Sequence, residues 1–121
     1  MRQLEKEKQK KEHILVCLSS SPSNEKIIRT AARMARAFRG TFTALYVETP
    51  NTAAMSDDDK KRLQDNKRLA QQLGATIETS YGDDVPYQIA EFARLSGISK
   101  IVIGRSTVAR KSIFSKPTLT E

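Results

Sequence analysis

Apolar positions along this chain come in two alternating styles, short continuous runs and spaced stripes, and that alternation predicts the order of elements. His13 to Leu18 contains a continuous run, ILVCL, the mark of a strand buried on both faces. Residues 24–39 then place Ile28, Ala31, Ala32, Ala35 and Phe38 on one side of a helix. Asn24 or Ser23 can cap its start, and Gly40 stands where it should stop. TFTALYVET, residues 41–49, is rich in β-branched and aromatic residues and predicts a second strand. After the loop PNTAAM, Ser56-Asp57-Asp58-Asp59 has the form of a capping box opening a second helix. Leu63, Ala70 and Leu73 give that helix its apolar stripe, and Gly74 ends it. ATIETSY, residues 75–81, alternates apolar and polar residues, which places a third strand at a sheet edge. Asp83, Asp84 and Pro86 start a third helix running to about Leu95, and KIVIG, residues 100–104, predicts a fourth buried strand.

Strands alternating with helices imply an α/β fold, a doubly wound parallel sheet with right-handed crossovers and both faces covered. Strands one and four are the most uniformly apolar, so they are expected at the centre. In such a sheet, ligands enter the crevice beyond the C-terminal ends of the central strands. That puts Ser19-Ser20-Ser21 and Gly104-Arg105-Ser106 on one rim.

Composition narrows the picture. A chain of 121 residues with 38% apolar and 6% aromatic residues and no Trp fits one domain with an aliphatic core. Its net charge of +7 favours an anionic partner. Cys17 is the single cysteine, which excludes an internal disulfide and fits a reducing compartment. No apolar run approaches the roughly 18–20 residues a membrane span needs, and no signal-peptide pattern occurs, so the reading is a soluble cytosolic unit. Residues 1–12 read as a charged linker and residues 13–121 as the folded domain. The final KPTLTE stops where a helix would begin, as in a domain excised from a larger protein.

Candidate chemistry concentrates at the turn CLSSSPSN, residues 17–24, which carries four serines and no glycine. Two readings stand side by side: the serines form the turn and cap the helix, or they join backbone N–H groups in a donor-rich surface for anions or ribose oxygens. Arg105, at the end of strand four, suits phosphate recognition if it faces that turn. Farther on, Ser115 and Lys116 precede Pro117, an arrangement that fits a helix start with free N–H groups. Neither a Walker lysine nor a dinucleotide glycine fingerprint is present. His13 reads as structural, and Arg29, Arg33 and Arg36 as a solvated face or a contact with another domain. No Ser-His-Asp order, carboxylate pair or metal cluster supports catalysis, so the domain reads as non-catalytic.

The element order and the ILVCLSSS strand resemble the universal stress protein family, whose members often bind ATP at this rim. More narrowly, Ser19-x-Ser21, twenty intervening residues and Phe42-Thr43-Ala44-Leu45-Tyr46 look like the stress-protein-like domain of sensor histidine kinases that control potassium uptake. Cys17 and Asn24 also fit the longer pattern, and the resemblance covers residues 13–116. In Gram-positive relatives the pattern is associated with binding cyclic di-AMP, a second messenger that restrains potassium uptake. ATP-binding members carry a glycine-rich segment after strand four. Here Thr107 takes its second glycine position and Pro117 stands near the third, which ranks ATP below the cyclic dinucleotide.

The resemblance implies that Ser19, Ser21 and Thr43 bond a base or ribose, while Arg105, Ser106, Ser115 and Lys116 meet the phosphodiesters near Gly104. Ala44 is small enough to admit a base, Tyr46 either stacks on adenine or belongs to the core, and Phe42 is core. The expected partners are cyclic di-AMP and other domains of the same kinase, with no cofactor and no nucleic acid. A membrane is reached only through the missing part of the chain, which places this domain on the cytoplasmic side. The family's last strand is also expected to be missing.

Overall fold

The computed structural model describes residues 11–104. Its elements are β1 (His13–Cys17), α1 (Asn24–Ala37), β2 (Thr41–Glu48), a 3-10 turn (Pro50–Ala54), α2 (Asp57–Gln72), β3 (Thr76–Tyr81), α3 (Val85–Leu95) and β4 (Lys100–Val102). All strand pairs are parallel, in the order β3-β2-β1-β4. Leu15 lies opposite Thr43 on one side and Ile101 on the other.

The period-2 alternation of strand side chains sorts the core into two layers. Ile14, Val16, Phe42, Ala44 and Tyr46 pack with Ile28, Ala31, Ala32 and Ala35 of α1 and with Leu63 and Ala70 of α2. Leu15, Leu45 and Val47 point the other way, against Ile89, Phe92 and Ala93 of α3. The alanines of α1 let that helix lie close to the sheet, while each fully buried Ile or Leu contributes about 1.5–3 kcal/mol. The doubly wound expectation therefore holds, and among the described residues β3 lies at an edge as its alternation implied. Among the described residues, no helix is long and apolar enough to cross a membrane.

Three expectations are corrected. β1 and β2 are the internal strands, whereas β4 is an outer strand among the described residues, shorter than expected and only half-buried. Continuous apolarity reports covering of both faces, not lateral position. Because β4 still neighbours β1, Val102–Gly104 end beside the turn after β1, while Arg105 and Ser106 lie outside the described residues. Phe38 lies past the last turn of α1 and is 45% exposed, its ring 5.3 Å from the Lys100 ammonium.

The end of α1 is the third correction. All three helices close with the same pair of hydrogen bonds, a 6→1 bond and a 5→2 bond around one left-handed residue. In α2 they are Ala75 N–H to Ala70 O and Gly74 N–H to Gln71 O, with Gly74 at φ 100°. In α3 they are Ile98 N–H to Ala93 O and Gly97 N–H to Arg94 O, with Gly97 at φ 65°. In α1 they are Gly40 N–H to Ala35 O and Arg39 N–H to Arg36 O, and the left-handed residue is Arg39, at φ 53°. Gly40 is required for a different reason: a Cβ there would strike the Glu12 carbonyl.

The helix starts follow the sequence more closely. Ser56 Oγ accepts from the Asp59 N–H, and Asp84 Oδ1 accepts from the Tyr87 N–H. His13 is structural as expected, with Nδ1 2.7 Å from Thr41 Oγ1 and its backbone N–H donated to Ser99 Oγ.

Candidate functional site

Hydrogen bonds from β2, α1 and α2 hold the backbone of the turn after β1. Leu18 N–H donates to Leu45 O at 2.8 Å, extending the β1–β2 ladder one residue past the strand. Asn24, 2% exposed, turns its amide back toward the strand it follows. Its Nδ2 donates to Cys17 O at 3.0 Å, and its Oδ1 accepts the Ser19 N–H at 3.2 Å. Asn24 is therefore a clamp between β1 and α1 rather than a cap, and Ser23 makes no side-chain capping bond either.

α2 holds the same turn from the other side. Asn66 Nδ2 donates to Ser19 O at 2.8 Å, and Arg62 Nη1 donates to Ser20 O at 3.1 Å while pairing with Asp59. Neither residue was singled out from the sequence. A signal existed: Asn66 interrupts the apolar stripe between Leu63 and Ala70, where a buried amide needs a partner.

With the backbone anchored, the serines organise one another. Ser19 Oγ accepts the Ser21 N–H at 3.1 Å, Ser21 Oγ accepts the Ser23 N–H at 3.1 Å, and the Ser21 and Ser23 hydroxyls share a hydrogen bond at 2.8 Å. The Ser19 and Ser21 oxygens accept backbone N–H groups within the turn, and among the described residues the Ser19 hydroxyl proton has no acceptor. Of the two readings, the structure shows the serines building the turn, without a side-chain cap on α1.

Parallel pairing brings the end of β4 to this rim, since Val16 is opposite Val102. A cleft of about 400 Å³ opens between α1 and the end of β4, lined by Ser23, Lys26, Ile27, Thr30, Val102 and Gly104 among others. Lys26 and Thr30 extend the candidate set. Their spacing from Ser23 along one side of α1 carries that information, beside the stripe of Arg29, Arg33 and Arg36. Of that stripe, Arg29 pairs with Glu25 at 3.1 Å and Arg33 bonds Thr30 Oγ1 at 3.3 Å.

The remaining candidates fall in three places. Ser19, Ser21 and Gly104 reach the rim. Phe42, Ala44 and Tyr46 are buried beneath α1 and α2, so the expected approach of a base over Ala44, which is 0% exposed, is corrected: the helices cover it. Tyr46 is core, its hydroxyl 3.3 Å from Thr52 Oγ1 and 3.8 Å from Met55 Sδ, with the Lys67 ammonium 5.2 Å from its ring centre. Thr43 is opposite Leu15, four residues before Ser19, hence roughly 13 Å below the rim at strand rise. The structure does not bring it to the serines. Arg105, Ser106, Ser115 and Lys116 lie outside the described residues.

Cys17 sits directly below the turn, and burial pushes its thiol up to about 12, so it stays protonated at neutral pH. Among the described residues no group of His, Cys, Asp and Glu could hold a metal ion. Hydroxyls, a lysine and backbone at this rim can bind and orient an anionic ligand.

The model of the universal stress protein family matches residues 11–114. The chain is 41% identical over 95 residues to the sensor protein KdpD of Clostridium acetobutylicum, covering 78% of this chain and 10% of that protein. It is 32% identical over 97 residues to the sensor protein KdpD of Escherichia coli, covering 80% and 11%. The chain therefore spans about a tenth of the length of these curated relatives. Among solved structures, the universal stress protein from Archaeoglobus fulgidus in complex with dAMP is similar with a TM-score of 0.59 at 25% identity, over 87% of this chain and 90% of that one.

Proposed function

The chain belongs to the universal stress protein family, and from that premise we propose that it is the ligand-sensing domain of a KdpD-type sensor histidine kinase that binds cyclic di-AMP and serves potassium homeostasis. The observation that carries this reading is the serine turn, clamped by Asn24 and Asn66 beside the end of β4. A preorganised donor surface loses little freedom on binding, which favours affinity for a ligand with defined acceptor positions.

Cyclic di-AMP brings two phosphodiester charges and two adenines. Ser19, Ser21 and Ser23 supply hydroxyls, and Lys26 supplies a cation. Arg105 and Ser106, which follow Gly104 in the sequence, add a guanidinium and a further hydroxyl, with Ser115 and Lys116 beyond them. The domain performs no chemistry. Binding shifts the balance between arrangements of neighbouring kinase domains by the difference in affinity for each. A mononucleotide is the competing ligand, and the dAMP complex of the Archaeoglobus relative supports it.

Calorimetric titration of the full chain with cyclic di-AMP and with ATP separates the two. Saturable binding of the cyclic dinucleotide, at least tenfold tighter than ATP, is the expected result. Arg105→Ala should weaken it by about tenfold at moderate salt, the worth of one charge-assisted contact. Preference for ATP overturns the ligand assignment, and an unchanged affinity in Arg105→Ala removes the phosphate role of that residue.

A further inference from the structure

A second, larger cavity opens at the opposite end of the sheet, beneath the N-terminal ends of β2 and β3. Its volume is about 660 Å³, within the range of small-molecule sites. Ala35, Phe42 and Leu73 belong to its apolar wall, and Arg36, Arg39 and Thr76 to its polar wall. None of the lining residues is acidic. Neither guanidinium takes part in an ion pair or a side-chain hydrogen bond among the described residues, whereas Arg29, Arg62, Arg68 and Arg94 all pair with a carboxylate.

The backbone supplies an independent observation. Three helices end in the same motif, and at two of them the left-handed position is glycine, the residue that adopts it without strain. Only α1 places a long side chain there, Arg39, next to a glycine that serves another purpose. The carbonyls of Met34, Ala35 and Arg36 already accept backbone N–H groups from Phe38, Gly40 and Arg39. The arginine is therefore not needed to close the helix. Both arginines are exposed, and a left-handed arginine beside a second guanidinium without an ion pair among the described residues, both lining a cavity, is the observation a functional reading starts from.

We propose that this cavity is a binding site for a small phosphorylated ligand, distinct from the rim, with Arg36 and Arg39 as its anion-recognising pair. Two guanidinium forks match the acceptor-rich geometry of a phosphate better than two ammonium groups would. The apolar wall and the volume leave room for an organic body attached to the phosphate.

The test is an amide-resolved NMR titration of the full chain with inorganic pyrophosphate at matched ionic strength, on the wild type and on Arg39→Gly. The wild type should show saturable shifts around Arg36–Thr43 and Gly74–Thr76. Arg39→Gly should melt at or above the wild-type temperature, because glycine relieves the left-handed strain, yet bind at least tenfold more weakly. Arg36→Gln should lose affinity to a similar degree, and Ser19→Ala should bind as the wild type does. No saturable shift in the wild type, or an Arg39→Gly protein that binds pyrophosphate as tightly, overturns the proposal.

Discussion

Cys17 shows how a single side chain ties the site to solution conditions. Its thiol ordinarily ionises near 9 and in the fold is pushed up to about 12 by desolvation. The folded state therefore keeps a proton that the unfolded chain releases between those values. The stabilisation is fully present below pH 9 and is lost as pH rises toward 12. Denaturant midpoints across this range should fall more steeply for the wild type than for Cys17→Ala, and parallel curves would show that the thiol is not desolvated. Other residue-level features divide by what a sequence can encode. Ser19 and Ser21 were legible because hydroxyls replaced the glycines usual in a strand-to-helix turn. Thr43 was not, because periodicity gives the face of a residue but not its height along a neighbouring strand. That height is set by register, which pairs Thr43 with Leu15.

At the scale of elements, the order and ends of strands and helices were legible to within a few residues, since strand runs, stripes and caps are local signals. Lateral strand order was not. KIVIG reads in the sequence as a buried strand like β1, yet among the described residues β2 is the second internal strand. The junctions between elements matter most for the site, and Asn24 is the one that joins β1 to α1. Its replacement by alanine leaves Cys17 O and the Ser19 N–H without their partner in a buried setting. That change should cost about 2–3 kcal/mol in urea unfolding and also weaken ligand binding at the rim. A loss below about 0.5 kcal/mol would mean that water replaces the amide and the turn is not held by it. α2 contributes the opposite anchor through Arg62 and Asn66. The buried polar position in its stripe was the only hint of that in the sequence.

The whole molecule presents two ends with different chemistry. One end of the sheet carries the serine turn, Lys26 and the close of β4, and the other carries Arg36 and Arg39 around a larger cavity. The net charge of +7 predicted an anionic partner but gave no position for it. The element order had already set the serine turn at the strand C-terminal ends, and the fold separates Phe42 and Thr43 from it. The most direct test is a map of amide shifts in the full chain on addition of cyclic di-AMP. Saturable changes centred on Ser19–Ser23 and Val102–Gly104 are predicted. Changes centred on Arg36–Thr43 and Gly74, or none that saturate, would contradict the assignment of the rim as the sensing site.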